Sequence, residues 1–192
     1  MHLSHKILLN ETAEQAEYFS RACGTARRVW NWALATWNSQ YEEGEKPNGF
    51  RLKKYFNSIK YTSPDWLDED GNPWLKGIHR DAHSQPFTNL QKAWSKFFLD
   101  VKKGVKAHPP RFKKKGKSKD SFYLANDQFS LDGNRIRMPK IGWVLMSESL
   151  RFEGRVLSAS VSRTADRWHV SVQVDVTDGQ FYRKRDSHNV VS

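Results

Sequence analysis

Hydrophobic and polar positions follow three regimes along the chain. Residues 3–9 end in Ile7-Leu8-Leu9 and predict a short strand. Thr12-Ala13-Glu14-Gln15 then has the form of a capping box, in which Thr12 accepts from the third helical amide and Gln15 reaches back to the amide of Thr12. Behind it Phe19, Cys23, Ala26, Trp30, Ala33, Leu34, Trp37 and Tyr41 recur at three- and four-residue spacing. That is one apolar helical face, with Arg27 and Arg28 off its central stripe. The helix is expected to end near Glu43-Gly44, with Gly24 as a point of bending. A second amphipathic piece covers about Phe50 to Lys60, and a turn-rich acidic stretch runs from Ser63-Pro64-Asp65 to Asn72-Pro73. A third helix carries Phe87, Leu90, Trp94, Phe97, Phe98 and Val101 on one face. Pro86 is expected to break its start, placing the regular part at or just after Ser84. Residues 12–101 therefore read as a helical bundle.

From about residue 121 the period changes to two. Phe122 to Leu124, Phe129 to Leu131 and Arg135 to Met138 predict short strands, the last two joined across Asp132-Gly133-Asn134. Leu157 to Arg163 leads through Thr164-Ala165-Asp166-Arg167 into Trp168 to Val176. There Trp168, Val170, Val172, Val174 and Val176 share one face of a half-buried antiparallel strand. Five or six such strands suggest a small barrel, giving an α+β chain: a helical bundle with a small antiparallel β-barrel. Residues 177–192 lose the pattern and form a polar tail.

Charge sharpens this division. The 192 residues hold 32 Lys and Arg against 21 Asp and Glu, a net of +11, while 13% aromatic residues supply apolar area enough to fold. Residues 102–119 hold nine of the basic side chains and no acid, so nearly the whole excess sits in 18 residues. Gly104, Pro109, Pro110 and Gly116 would interrupt any helix there, so the segment reads as a linker lying against a polyanionic partner. The plain alternative is a solvated charge run. No apolar run approaches the ~18 residues of a membrane span, and Met1-His2-Leu3-Ser4-His5-Lys6 lacks a signal-peptide core. The single Cys23 has no internal disulfide partner and no C-x-x-C pair exists to hold zinc. A cytoplasmic setting is expected.

Five stretches, in order, carry a family resemblance: Ala26-Arg27-Arg28-Val29-Trp30-Asn31-Trp32-Ala33-Leu34; Leu90-Gln91-Lys92-Ala93-Trp94-Ser95-Lys96-Phe97-Phe98; Pro110-Arg111-Phe112-Lys113-Lys114-Lys115-Gly116 followed by Asp120-Ser121-Phe122; Arg137-Met138-Pro139-Lys140-Ile141-Gly142-Trp143-Val144; and Ala159-Ser160-Val161-Ser162-Arg163. Over roughly residues 3–176 the chain resembles the N-terminal half of the TnpB family, also called OrfB. These are transposon-encoded, RNA-guided DNA nucleases, historically called transposases and related to type V CRISPR effectors. The resemblance implies that residues 1–10 form the first strand of a wedge barrel (OB-like). A helix-turn-helix-like recognition domain (11–107) would be inserted after it, followed by a basic linker (108–120) and the rest of the barrel (121–176). In the family a RuvC-type nuclease core and a four-cysteine zinc ribbon come next. The stretch after Val176 holds no Gly-Ile-Asp-x-Gly strand and no zinc cysteines. A two-metal nuclease needs converging carboxylates, so no catalytic residue is expected in this chain. Mg²⁺ and Zn²⁺ belong with the missing C-terminal half.

The resemblance points to Arg111, Lys113, Lys114, Lys115, Lys117 and Lys119 as backbone-binding residues, with phosphate neutralisation and counterion release as the chemistry. Arg27 and Arg28 either contact nucleic acid or merely flank the helix core. Arg80, Ser84 and Gln85 lie where relatives read a short target-adjacent DNA motif, and Asn126 matches a second reading position or is a turn residue. Lys140 and Arg163 complete the set. The helical spacing of Trp30, Trp37, Trp94, Phe97 and Phe98 suits core packing better than base stacking. His79 and His83, at i and i+4, are more readily structural than zinc ligands.

The leading expectation is a TnpB/OrfB-like fragment that binds guide RNA from the transposon end, double-stranded DNA, or both, without cleaving. One alternative is part of an endonuclease whose catalytic half is encoded separately downstream or was lost by frameshift. The other is a nuclease-free DNA-binding regulator. No membrane partner is expected, and the protein would sit with the prokaryotic nucleoid.

Overall fold

The structure is a computed structural model and describes residues 1–176; the polar tail expected at 177–192 lies outside the described residues. Strand β1 (His2–Asn10) leads into helix α1 (Ala13–Glu42) through the capping box that the sequence spells out. The Gln15 amide donates to the Thr12 hydroxyl at 3.2 Å, and the Thr12 amide donates to Gln15 Oε1 at 3.1 Å. Gly24 stays inside the helix, which runs unbroken for 30 residues.

Helix α2 (Gly49–Ile59) starts where Asn48 Oδ1 accepts from the amides of Phe50 and Arg51. Gly49 is required by close approach: a Cβ there would fall 2.8 Å from the Phe87 carbonyl oxygen. The acidic stretch forms single 3₁₀ turns at Pro64–Trp66 and Trp74–Gly77. Helix α3 (Arg80–Lys102) begins four residues earlier than expected and contains Pro86. The helix tolerates the proline because it stands in the second turn, where only the bond to the Ala82 carbonyl is forgone. Helices α1 and α3 run parallel. Tyr18 meets His79 at one end, and Trp37 stacks on Trp94 at the other, with centroids 5.6 Å apart and planes 8° from parallel.

The remaining strands are β2 (Ser121–Ala125), β3 (Ser130–Asp132), β4 (Arg135–Met138), β5 (Gly142–Met146), β6 (Arg155–Thr164) and β7 (Arg167–Asp175). They form one antiparallel sheet in the order β2-β6-β7-β1-β5-β4-β3. Strand β1 pairs with β7 from His2 to Leu8 and then passes Leu9 and Asn10 to β5, joining the two halves of the sheet.

The sheet is not the closed barrel expected from the strand pattern, because β2 and β3 do not pair. The outer edge of β2 is occupied by α3 instead. His79 Nε2 lies 3.2 Å from the Tyr123 carbonyl, and Asp81 Oδ2 accepts from the Ala125 amide at 2.7 Å. An edge strand capped this way offers no ladder for a closing strand.

Two apolar cores result, and α1 contributes to both. Phe19, Ala22 and Cys23 pack with Ile7, Phe122, Leu124, Val144, Trp168 and Val170 under the sheet. Val29, Trp30, Leu34 and Trp37 pack with Leu52, Phe56, Trp66, Phe87 and Leu90 between the helices. Burial pushes the Cys23 thiol up to about 12, so it acts as a small hydrophobe. Among the described residues no helix is long and apolar enough to cross a membrane.

Strand β1 and its neighbour β5 test this division of burial. Ile7→Ala should cost roughly 2–5 kcal/mol of stability in urea titration, because Ile7 is fully buried in the sheet core. Leu145→Ala on neighbouring β5, at an exposed position, should change stability by no more than about 0.5 kcal/mol.

Candidate nucleic-acid interface

After α3 the chain turns back along α1, carrying most of its net charge with it. Four contacts fix this return path. The Trp30 indole N–H donates to the Arg111 carbonyl at 3.0 Å. Asn31 makes a reciprocal pair with Lys113, accepting from its amide at 2.8 Å and donating to its carbonyl at 2.9 Å. Arg27 closes the path with a 2.7 Å ion pair to Asp120. The segment read as a linker thus lies with its backbone against the chain's own helix.

Its side chains are arranged differently. The amides of Lys117 and Ser118 donate to the Lys114 carbonyl, and the Lys114 amide donates to Ser118 Oγ, closing a tight turn at Gly116 (φ 75°). Arg111, Lys114, Lys115, Lys117 and Lys119 are all exposed. Among the described residues, none of them has a carboxylate partner. Elsewhere Arg80, Arg135, Arg151, Arg155 and Arg163 each pair with an acid, whereas Arg51, Arg137 and Arg167 are exposed and without an ion pair among the described residues. Lys113 is the exception within the segment. Its ammonium lies 4.3 Å from the Trp30 ring centre, and burial, helped by the nearby Arg27, lowers its pKa.

Beside the segment a cleft of about 270 Å³ opens between α1, α3 and β2. Gln85, Asn89, Lys113, Tyr123 and Ser160, with Asp81 and Ser121, supply its polar wall, and Gln85 Nε2 donates to Asn89 Oδ1 at 3.1 Å. Of the residues singled out in the sequence, the structure brings Gln85 and Lys113 to this cleft, with Arg27 close by. Ser84 is half-buried one residue away and does not line it.

Arg80 instead spans Asp81 and Asp127, each at 3.2 Å, beside the exposed Asn126 in the turn after β2. Arg28 faces away, donating to the Asp65 carbonyl and lying 5.2 Å and 5.3 Å from the ring centres of Trp66 and Trp74. Lys140 (φ 73°) lines a separate depression with Arg137 and Gln128. Arg163 pairs with Asp166 over the Trp168 ring.

Asn31, Asn89 and Ser160 were not singled out in the sequence. Asn89 stands one turn beyond Gln85 and was legible by spacing, whereas Asn31 and Ser160 reach their partners only through the fold.

His79 and His83 are structural. His79 bridges the Tyr18 hydroxyl at 2.9 Å and the Tyr123 carbonyl, which assigns its proton to Nε2, and burial keeps its pKa low. His83 is 4% exposed, and burial followed by the Lys60 charge brings it to about 4. Among the described residues no three His, Cys, Asp or Glu side chains converge to hold a metal ion. Neither Mg²⁺ nor Zn²⁺ therefore has a fitting donor set there.

Two predictions follow from these environments. A depressed histidine pKa favours the neutral form in the fold, so its stabilisation is present above pH 6.5 and is lost as pH falls toward 4. For His83 the loss should be roughly 3 kcal/mol, and His83→Phe should flatten that part of a pH series of thermal melts. Asn31→Ala, which removes both bonds to Lys113, should cost about 1–3 kcal/mol and should speed hydrogen exchange at the Lys113 amide.

Residues 1–46 match the helix-turn-helix domain family HTH_OrfB_IS605. That match covers β1 and α1, the strand and helix from which the rest of the site is built. The chain is homologous to proteins named "Putative RNA-guided DNA endonuclease". InsQ of Escherichia coli (strain K12) is 28% identical over 172 residues, covering 88% of this chain and 40% of that protein. Two from Mycobacterium tuberculosis, Rv2885c of strain H37Rv and MT2953 of strain CDC 1551, are each 25% identical over 192 residues, covering 88% and 41%. The chain therefore spans about two fifths of the length of these relatives. Among solved structures, the cryo-EM structure of the Cas12f1-sgRNA-target DNA complex aligns over 93% of this chain and 49% of that one, at 13% identity and a TM-score of 0.43.

Proposed function

We propose that this homologue of RNA-guided DNA endonucleases is a nucleic-acid recognition unit that binds RNA and duplex DNA through the 111–119 segment and the adjoining cleft. One observation carries the reading. Five exposed cations stand on a backbone clamped to α1, without carboxylate partners among the described residues. A charge run that served only solubility would need neither the clamp nor the Gly116 turn. Held in this way, the cations form a preorganised phosphate track, which loses less conformational entropy on binding than a free tail would.

The roles divide by chemistry. Arg111, Lys114, Lys115, Lys117 and Lys119 neutralise phosphates and fix register. Gln85, with Asn89 behind it, presents amide donors and acceptors at the cleft mouth, the groups that read base edges. Asn126, and Arg80 held by Asp81 and Asp127, would add contacts at the turn after β2. Arg27 and Lys113 act mainly from within, holding the track in place. Lys140 and Arg163 would extend the positive surface over the sheet.

The relatives' names supply the ligand classes, a guiding RNA and a DNA target, with RNA from a transposon end as the natural candidate. Mg²⁺ and Zn²⁺ chemistry is assigned to sequence that the relatives have and these residues do not. No cleavage step is assigned to residues 1–176.

Salt dependence tests the proposal. Lys114, Lys115 and Lys117 replaced together by Gln should weaken duplex binding and reduce the slope of log Kobs against log salt by about 2–3. An unchanged slope in fluorescence anisotropy titrations would remove the phosphate track from the account.

A further inference from the structure

The ends of α1 and α3 farthest from the sheet carry a feature that phosphate binding leaves unused. Trp37, Tyr41, Trp94, Phe97, Phe98 and Pro109 enclose an apolar slot of about 240 Å³, with Asn38 as its polar residue. Its back wall belongs to the helical core: Trp37 is 4% exposed and stacks on Trp94. Its front does not. Phe98 is 49% exposed and Tyr41 63%, so the apolar face read from the sequence as core packing opens to solvent at this end. Phe98 lies on Trp94 with centroids 5.6 Å apart and planes 23° from parallel, extending the aromatic stack outward from the core. The Trp94 indole N–H is buried without a hydrogen-bond partner among the described residues.

Charge around the slot indicates its occupant. Pro109, in its wall, opens the return path of the basic segment. Lys102, Lys103, Lys106 and Arg111 surround it in sequence, all exposed and without a carboxylate partner among the described residues, while the exposed Glu42, Glu43 and Glu45 follow Tyr41. The polar cleft and the aromatic slot lie along the same helix pair, at Ala26 and Trp37 of α1, roughly 16 Å apart at ~1.5 Å per residue. The basic segment runs between them. A stacking surface beside a positive track is the arrangement that holds single-stranded nucleic acid. The volume falls just below the roughly 300–1,000 Å³ of drug-sized sites, a fit for one flat ring system.

We propose that this slot takes one unpaired base of an RNA strand whose phosphates follow the basic segment. The inference rests on the nucleic-acid reading above and adds to it a site selective for unpaired bases. RNA is favoured over DNA because loops and bulges of folded RNA offer unstacked bases. A base in duplex DNA would first have to be pulled from its stack, at a cost of a few kcal/mol.

The test uses the full chain and three fluorescein-labelled probes: a 12-nucleotide single-stranded RNA, the RNA duplex of the same sequence, and the matching single-stranded DNA. Phe98→Ala should weaken binding of the single-stranded RNA by between about 5-fold and 100-fold. It should leave duplex binding and the salt slope unchanged, because no phosphate contact is lost. Phe98→Tyr should restore the affinity, and the thermal melt of Phe98→Ala should stay within a few degrees of the wild type.

If Phe98→Ala binds single-stranded RNA as the wild type does while the Lys114/Lys115/Lys117 variant is weakened, the slot is overturned and the phosphate track stands. Equal losses on RNA duplex and single strand, or tighter wild-type binding to the DNA strand than to the RNA strand, overturn the base-specific or the RNA assignment respectively. A dimer that Phe98→Ala converts to monomer with unchanged RNA affinity makes the slot a protein interface. Absence of wild-type binding to every probe overturns the slot and the RNA part of the proposed function together, while the duplex DNA titration above decides the DNA part.

Discussion

The capping of the β2 edge by the first turn of α3 is the contact on which the rest of the molecule depends. His79 and Asp81 engage the Tyr123 carbonyl and the Ala125 amide, backbone groups that a further strand would otherwise claim. Both side chains are almost fully buried, at 2% and 6% exposure. An unpaired backbone group in that setting would cost about as much as a lost hydrogen bond. The same histidine reaches the Tyr18 hydroxyl on α1, so one ring ties two helices to the sheet. Without these hydrogen bonds α3 would be held to the sheet by apolar packing alone, such as that of Ala82, and the width of the cleft would be less tightly fixed.

Helix α1 is the second constraint, acting as the spine for both cores and as the rail for the basic segment. Nine positive side chains within 18 residues repel one another and would favour an expanded loop. The Asn31–Lys113 pair, the Trp30–Arg111 bond and the Arg27–Asp120 ion pair oppose that expansion. They do so from backbone and inward-facing groups, leaving the outer charges unneutralised. The molecule thus holds a positive surface in one shape while satisfying the polar groups beneath it. This is the physical basis for reading the segment as a ligand surface rather than as solvated chain.

Much of the fold was legible because it rests on local chemistry. Thr12 and Gln15 announce the start of α1, and the alternation from Trp168 to Val176 announces a half-buried strand. The +9 stretch stands out by counting alone. The start of α3 was misplaced because local proline preference was weighed without its position: in a second turn, Pro86 forgoes a single bond. The closed barrel failed for a different reason. Strand alternation reports which face is buried, but says nothing about what occupies an edge. Within the candidate site, Gln85 and the lysines were legible as residue types, whereas the clamp by Asn31 and the diversion of Arg80 and Arg28 to internal partners were not.

The sequence by itself determined the three helices, six of the seven strands, their order, the concentration of charge and the family likeness, since each depends on residues within a few positions of one another or on ordered motifs. Only the tertiary structure decided which cations remain available. Arg27 and Arg28 share one motif and Lys113 and Lys114 another, yet the fold pairs Arg27 with an acid 93 residues away, turns Arg28 to the Asp65 carbonyl and two indoles, and lays Lys113 on an indole of α1, leaving Lys114 exposed. It likewise decided that Phe98, indistinguishable by spacing from the buried Leu90, lies beyond the end of the core. Helical periodicity fixes the direction in which a side chain points; whether anything lies there to cover it depends on how far the neighbouring elements extend.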